Sequence, residues 1–274
     1  MAPGWTTDRA VQRFMATRRH RASPAAAAFR LSGEGRLHDV DGTRIVSRSW
    51  GEGRPVLLLH GWNGSATDFR HLVPAITAAG FRAVAIDAAG HGESDGDEAS
   101  AVHLARALEV VAAQTGPAAA VVAHSLGGAA ASMAVARGLA TERLVLLAPA
   151  ALPGRYVERA AASLGTAFGP RLVRALETRV GTPVRQLDLE RSLAHVDAPV
   201  WIVHDTSDRE TPLAPVRPLV EAHEGRHLLL TDLLGHRRVL ADPSVVRVVA
   251  ALVSGEAVAP CSHGRVRGAC ASCG

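Results

Sequence analysis

The chain contains no lysine: all 30 of its basic positions, among 274 residues, are arginine. That absence excludes Schiff-base chemistry, a pyridoxal anchor and a phosphate-loop lysine. Cysteine is almost as scarce. Cys261, Cys270 and Cys273 all fall in the last stretch of the chain, so the body holds no disulfide framework and a cytoplasmic setting is expected. Aromatic residues make up 4% of the chain, too few for the stacking platforms that bind single-stranded nucleic acid. No apolar run approaches the roughly 18 residues that a membrane-spanning helix needs. Residues 1–30 also lack the continuous apolar segment of a secretory signal, and none is expected there.

Against these absences stand 47% apolar and 20% charged residues, enough to build a packed core. The net charge of +4 is regional. Residues 1–30 hold six arginines against Asp8, and the tail from 261 holds Arg265 and Arg267. Residues 151–196 hold seven arginines against Glu158, Glu177, Asp188 and Glu190, and the remaining body is acidic. This distribution argues against a nucleic-acid partner.

Apolar runs alternate with helical patterns, which predicts an α/β fold whose mostly parallel sheet is covered by helices on both faces. Residues 37–40 and 43–50, joined through Asp41-Gly42, read as a hairpin with a tight turn. Short continuous runs at 55–60, 82–87, 118–123, 143–148, 199–204 and 227–231 read as doubly covered strands. Helices are expected around Leu72, Val73 and Ile76, from Ser100 to Gly116, over 126–137, and from Asp242 to Gly255. Residues 151–196 break the alternation with two helical patches, near 155–168 and 170–179. The expected organisation is a basic N-terminal extension (1–35), a core (36–150 and 197–254), a short helical cap inserted after the sixth strand (151–196) and a cysteine-containing tail (255–274).

One junction carries the chemistry. A buried run passes into Ala123-His124-Ser125-Leu126-Gly127 and a small-residue helical pattern follows at once. A serine on a sharp strand-to-helix turn lifts its hydroxyl clear of the sheet, and small residues two positions either side let the flanking elements approach. Later in the chain, Asp205 and Asp208 follow one strand and Gly235-His236 follows another. The residues alone leave both aspartates open as the acid.

These segments, with Leu59-His60-Gly61-Trp62 and Asp87-Ala-Ala-Gly-His91-Gly-Glu-Ser94, resemble the α/β-hydrolase superfamily, and in particular small bacterial esterase-like members, over about residues 36–254. The chain departs from the usual Gly-x-Ser-x-Gly elbow by Ala123. The resemblance implies Ser125 as nucleophile, His236 as general base and Asp208 as its acid partner, with Asp205 as the alternative. It implies backbone N–H groups of Trp62 and Leu126 as oxyanion donors, and structural roles for His60 and His91. The implied activity is hydrolysis of small-molecule carboxylic esters through an acyl-enzyme, with no cofactor. Thioester or C–C bond hydrolysis, acyl transfer and perhydrolysis use the same triad, and a non-catalytic binding role is the competing class. The arginines of 151–196 suggest attraction of an acidic acyl substrate. The tail residues Cys261, His263, Cys270 and Cys273 have zinc-ligand chemistry, but their spacing and lack of support leave the expected metal as none.

Overall fold

The computed structural model describes residues 6–256, Val258 and 267–269. The chain order begins with helices α1 (Thr7–Met15) and α2 (Pro24–Leu31), the strands β1 (Glu34–Val40), β2 (Thr43–Trp50) and β3 (Pro55–Leu59), and α3 (Leu72–Ala78). It continues through β4 (Arg82–Asp87), α4 (Ala101–Thr115), β5 (Ala120–His124), α5 (Leu126–Ala136) and β6 (Leu144–Leu147). Then follow α6 (Pro153–Ala162), α7 (Gly169–Val180), α8 (Leu189–Leu193), β7 (Val200–Asp205), α9 (Arg217–Glu221) and β8 (Arg226–Thr231). The last elements are α10 (Gly235–Arg238), α11 (Pro243–Ser254) and β9 (Arg267–Ala269).

One sheet runs in the order β1-β2-β4-β3-β5-β6-β7-β8-β9. The six strands from β4 to β8 in that order pair in parallel, and β1, β2 and β9 pair antiparallel at the two edges. The expected hairpin forms, with Asp41 and Gly42 both at positive φ, the backbone that a tight primed turn requires. The central strands are apolar throughout because both faces are covered. Leu57, Leu59, Val121, Ala123, Leu144 and Leu146 join the cluster under α4 and α5; Val56, Leu58, Ala120, Val122, Val145 and Leu147 join the cluster under α3 and α11. The chain leaves β3 for β4 on one side and returns to β5 on the other. Their carboxyl ends therefore diverge beside each other, where an open parallel sheet forms its crevice.

Residues 151–196 lie between β6 and β7. Their apolar side chains, Val157, Ala161, Leu172, Leu176, Leu187 and Leu193, extend the cluster on the α4–α5 side, and α8 packs on α5. The basic N-terminal segment is built into the body. Ala10, Val11 and Met15 of α1 are buried, α1 packs along α7, and Phe29 of α2 stacks on Trp50 with ring centroids 4.6 Å apart. Tail residues Arg267–Ala269 pair with β8. Cys261, His263, Cys270 and Cys273 lie outside the described residues, as does their candidate zinc site. Among the described residues, no helix is long and apolar enough to cross a membrane.

Candidate active site

Ser125 sits between the last residue of β5 and the first of α5, at φ 55 and ψ −125. A non-glycine residue held in that region stores on the order of 1–3 kcal/mol of strain. The surroundings leave it no room to relax. A Cβ on Gly61 would lie 2.6 Å from the Ser125 Cβ, and one on Gly127 would lie 2.3 Å from the His60 carbonyl oxygen. Both positions require glycine by close approach. Ala123, which stands where the elbow usually has glycine, is buried within β5.

The loops after β7 and β8 bring the other partners to this hydroxyl. His236 Nε2 lies 2.9 Å from Ser125 Oγ, and His236 Nδ1 lies 2.8 Å from Asp208 Oδ2. With Nδ1 carrying the proton toward the carboxylate, Nε2 presents its lone pair to the serine. Asp208 Oδ1 accepts from the Glu210 and Thr211 amides, and Oδ2 accepts from the Thr211 hydroxyl at 2.9 Å. Burial raises the Asp208 pKa, but the hydrogen bonds from His236 and Thr211 outweigh it and hold the carboxyl below its ordinary range.

Asp205, three residues earlier, does not reach His236. Its Oδ1 accepts from the Ser207 amide and hydroxyl; its Oδ2 accepts from the Thr231 hydroxyl and the Leu234 amide. Burial opposes its ionisation, yet these donors bring its pKa down to about 2. Asp205 therefore ties the end of β7 to the loop that carries His236. Of the two aspartates the sequence left open, the fold sets Asp208 beside the imidazole and Asp205 beneath its loop.

Three neighbours had no sequence signal of their own. His124, immediately before Ser125, donates from Nε2 to the His236 carbonyl at 2.9 Å, with ring centroids 4.7 Å apart. Full burial, aided by the proximity of His236, lowers its pKa to about 3, so it is neutral at physiological pH. The Thr211 hydroxyl also lies 3.0 Å from His236 Nδ1 and 3.2 Å from the Ala148 carbonyl. His204 donates from Nε2 to the Thr211 carbonyl at 2.8 Å, bracing that threonine from below.

On the other side of Ser125, His60 Nε2 accepts from the Ala88 amide and His91 Nε2 accepts from the Asn63 amide. Each ring donates from Nδ1 to a carbonyl, Gly61 for His60 and Ala89 for His91. Asp87 accepts the Ala66 and Glu93 amides. Together they fix the Gly61-Trp62 turn against the serine. Leu126 opens α5, where the first amides of a helix have no intrahelical acceptor.

A cavity of about 780 Å³ opens over Ser125 and His236. Its walls come from the turn after β3, from α10 and the residues after it, and from residues 19–30, a segment that the sequence pattern did not connect with the site. No residue of 151–196 lines it.

A non-heme chloroperoxidase of Kitasatospora aureofaciens is 41% identical over 54 residues, 20% of this chain and 20% of that protein. The match thus spans a fifth of the length of that curated relative. Among solved structures, a bromoperoxidase from Bacillus anthracis superposes with a TM-score of 0.64 at 16% identity, covering 81% of this chain and 100% of that one. An esterase from Exiguobacterium antarcticum superposes with a TM-score of 0.62 at 19% identity, covering 81% and 99%. These superpositions establish the architecture alone. The family model described as alpha/beta hydrolase fold matches residues 54–199, more than half of the sequence, and the chain therefore belongs to the α/β-hydrolase family.

Proposed function

We propose that the chain is a serine hydrolase of small to medium carboxylic esters, with Ser125 as nucleophile, His236 as general base and acid, and Asp208 as its orienting carboxylate. The observation that supports this most is the unbroken hydrogen-bonded relay from Ser125 Oγ through His236 to Asp208, anchored on a strained serine. As Oγ attacks the acyl carbon, His236 Nε2 takes its proton; the imidazolium then protonates the departing alcohol. Asp208 holds Nδ1–H and stabilises the transient charge. The amides of Trp62 and Leu126 receive the oxyanion, neutral donors fixed in place before the reaction begins. Water enters in the second half, gives a proton to His236 and releases the acid. Each donor of this kind contributes about 3 kcal/mol to the barrier reduction.

The test is a series of p-nitrophenyl esters from acetate to decanoate with the full chain. A pre-steady-state burst and an acylated Ser125 peptide are expected. Hydrolysis that persists in Ser125→Ala contradicts the reading.

A second reading is favoured by the chloroperoxidase relative. Hydrogen peroxide in place of water would attack the same acyl-enzyme, leaving a peracid and free Ser125. Peracid formed from an ester and peroxide, lost in Ser125→Ala, supports it; its absence restricts the chain to hydrolysis.

A further inference from the structure

The cavity over Ser125 carries a charge that its own walls do not balance. Arg19, Arg21, Arg30, Arg70, Arg237 and Arg238 line it. Three carboxylates line it too, and each is engaged. Asp87 is buried and accepts two amides. Asp68 accepts the Ser65 amide, and Glu210 pairs with Arg237 at 3.5 Å.

Compensation on the arginine side is incomplete. Arg30 lies 3.7 Å from Glu93, a carboxylate it shares with Arg48. Arg19 donates to the carbonyls of Ser94 and Gly96, Arg238 to those of Leu233 and Leu234, and Arg70 to that of Thr67. A carbonyl acceptor fixes a guanidinium without neutralising it. Arg21 has no hydrogen bond or ion pair among the described residues. Arg19, Arg21, Arg70, Arg237 and Arg238 are exposed, whereas His236 is buried, so the positive charge stands at the mouth and the reacting groups lie deeper.

The arginines of 151–196 are placed differently. None of them lines the cavity, and Arg155, Arg179 and Arg185 pair with Asp188, Glu98 and Glu158. The arginines at this cavity belong instead to residues 19–30, to Arg70 and to α10.

We propose that the mouth of this cavity is an anion subsite, which selects acyl substrates bearing a carboxylate or a phosphate away from the scissile bond, with Arg21 and Arg70 as its receiving residues. A guanidinium fork matches either anion, and uncompensated charge at the mouth of a cleft concentrates such ligands. The identity of the reacting bond rests on the ester-hydrolase reading; the anion subsite itself does not require turnover.

The test is calorimetry on the full-length Ser125→Ala chain with two matched pairs. Monomethyl succinate is set against methyl butyrate, and acetylglycerol phosphate against monoacetylglycerol. The anionic member of at least one pair binds about tenfold tighter at ~20 mM salt, and most of the preference is gone at ~500 mM, where the screening length falls to a few ångströms. The responding pair identifies the anion. Exchanging Arg21→Gln and Arg70→Gln together lowers the preference at least about threefold. Replacing Arg21 removes no internal bond and replacing Arg70 removes one long bond, to the Thr67 carbonyl at 3.5 Å, so the double variant is expected to fold, and its circular dichroism checks this. Equal affinity within both pairs, no detectable binding of either anion, or an unchanged preference in the folded double variant overturns the proposal. Fluorophosphonate labelling of the unmodified chain separates the two failures. An unlabelled Ser125 with the anion preference intact removes only the hydrolase reading; a labelled Ser125 without the preference removes only the subsite.

Discussion

At the carboxyl ends of β3 and β4, His60, His91 and Asp87 are buried, and each ring nitrogen and carboxylate oxygen meets the backbone. At the carboxyl ends of β7 and β8, the same residue types are buried, but both nitrogens of His236 meet side chains that can hold or release a proton. Ser125 lies between the two regions. An imidazole that donates to one carbonyl and accepts from one amide gains nothing by changing its protonation state and serves as a brace. An imidazole between a hydroxyl and a carboxylate can move a proton. Asp205 and Asp208 repeat the contrast within one loop: the first accepts four neutral donors and ties two loops together, and the second faces the histidine.

The largest expected difference between the regions is catalytic. Asp208→Asn should lower ester turnover by about 10³–10⁴, because an amide no longer fixes the Nδ1–H tautomer. His91→Gln should lower it less than about tenfold. Steady-state kinetics on one short ester checks both, and equal losses would erase the distinction between brace and relay.

Asp205→Asn should act on stability more than on chemistry. One oxygen that accepts two donors becomes an NH₂, and a charge-assisted pair of bonds is lost. Denaturant unfolding should show a loss of about 2 kcal/mol, with a smaller fall in turnover than Asp208→Asn. The reverse order would mean that Asp205 is the acid.

Stability should also depend on pH. Burial lowers His91 and His124 to about 3 in the fold, against 6.5 in the unfolded chain. Between these values the unfolded chain binds protons that the fold does not. Stability is therefore complete above about pH 6.5 and falls as the pH drops, by up to about 1.4 kcal/mol per pH unit for each histidine. The contribution of Asp205, whose pKa is lowered from 3.8 to about 2, is retained until the pH falls below about 4, so the slope near neutral pH belongs to the histidines. Unfolding curves between pH 5 and 7.5 should show the slope, and His91→Gln should remove only a part of it, because burial also lowers His38, His71, His103, His204 and His227, which share it with His124. An unaltered slope would place the linked protons elsewhere.

The sheet and the central junction were legible because their constraints are local. A strained serine between a buried strand and a helix needs small neighbours, and Gly127 and the alanines of α5 record that need in consecutive residues. Doubly covered strands record their burial as unbroken apolar runs. Even there a boundary shifted: Ala118 makes only an isolated bridge with Thr141, and β5 starts at Ala120. What stayed hidden depends on chain-distant packing. Thr211 is one threonine among several until the loop folds it against Asp208 and His236. The wall formed by residues 19–30 follows from the docking of α1 on α7 and of Phe29 on Trp50, contacts that no local pattern announces. β9 is three residues long, and its pairing is supplied by the open edge of β8.

The most direct test of the account is the site and rate of fluorophosphonate labelling, read by intact mass and peptide mapping in the unmodified chain, Ser125→Ala and His236→Ala. The account predicts a single phosphonyl adduct on Ser125, none in Ser125→Ala, and labelling slowed by on the order of 10³ or more without the His236 imidazole. A folded chain that stays unlabelled, or a Ser125 that reacts equally fast in His236→Ala, would contradict it.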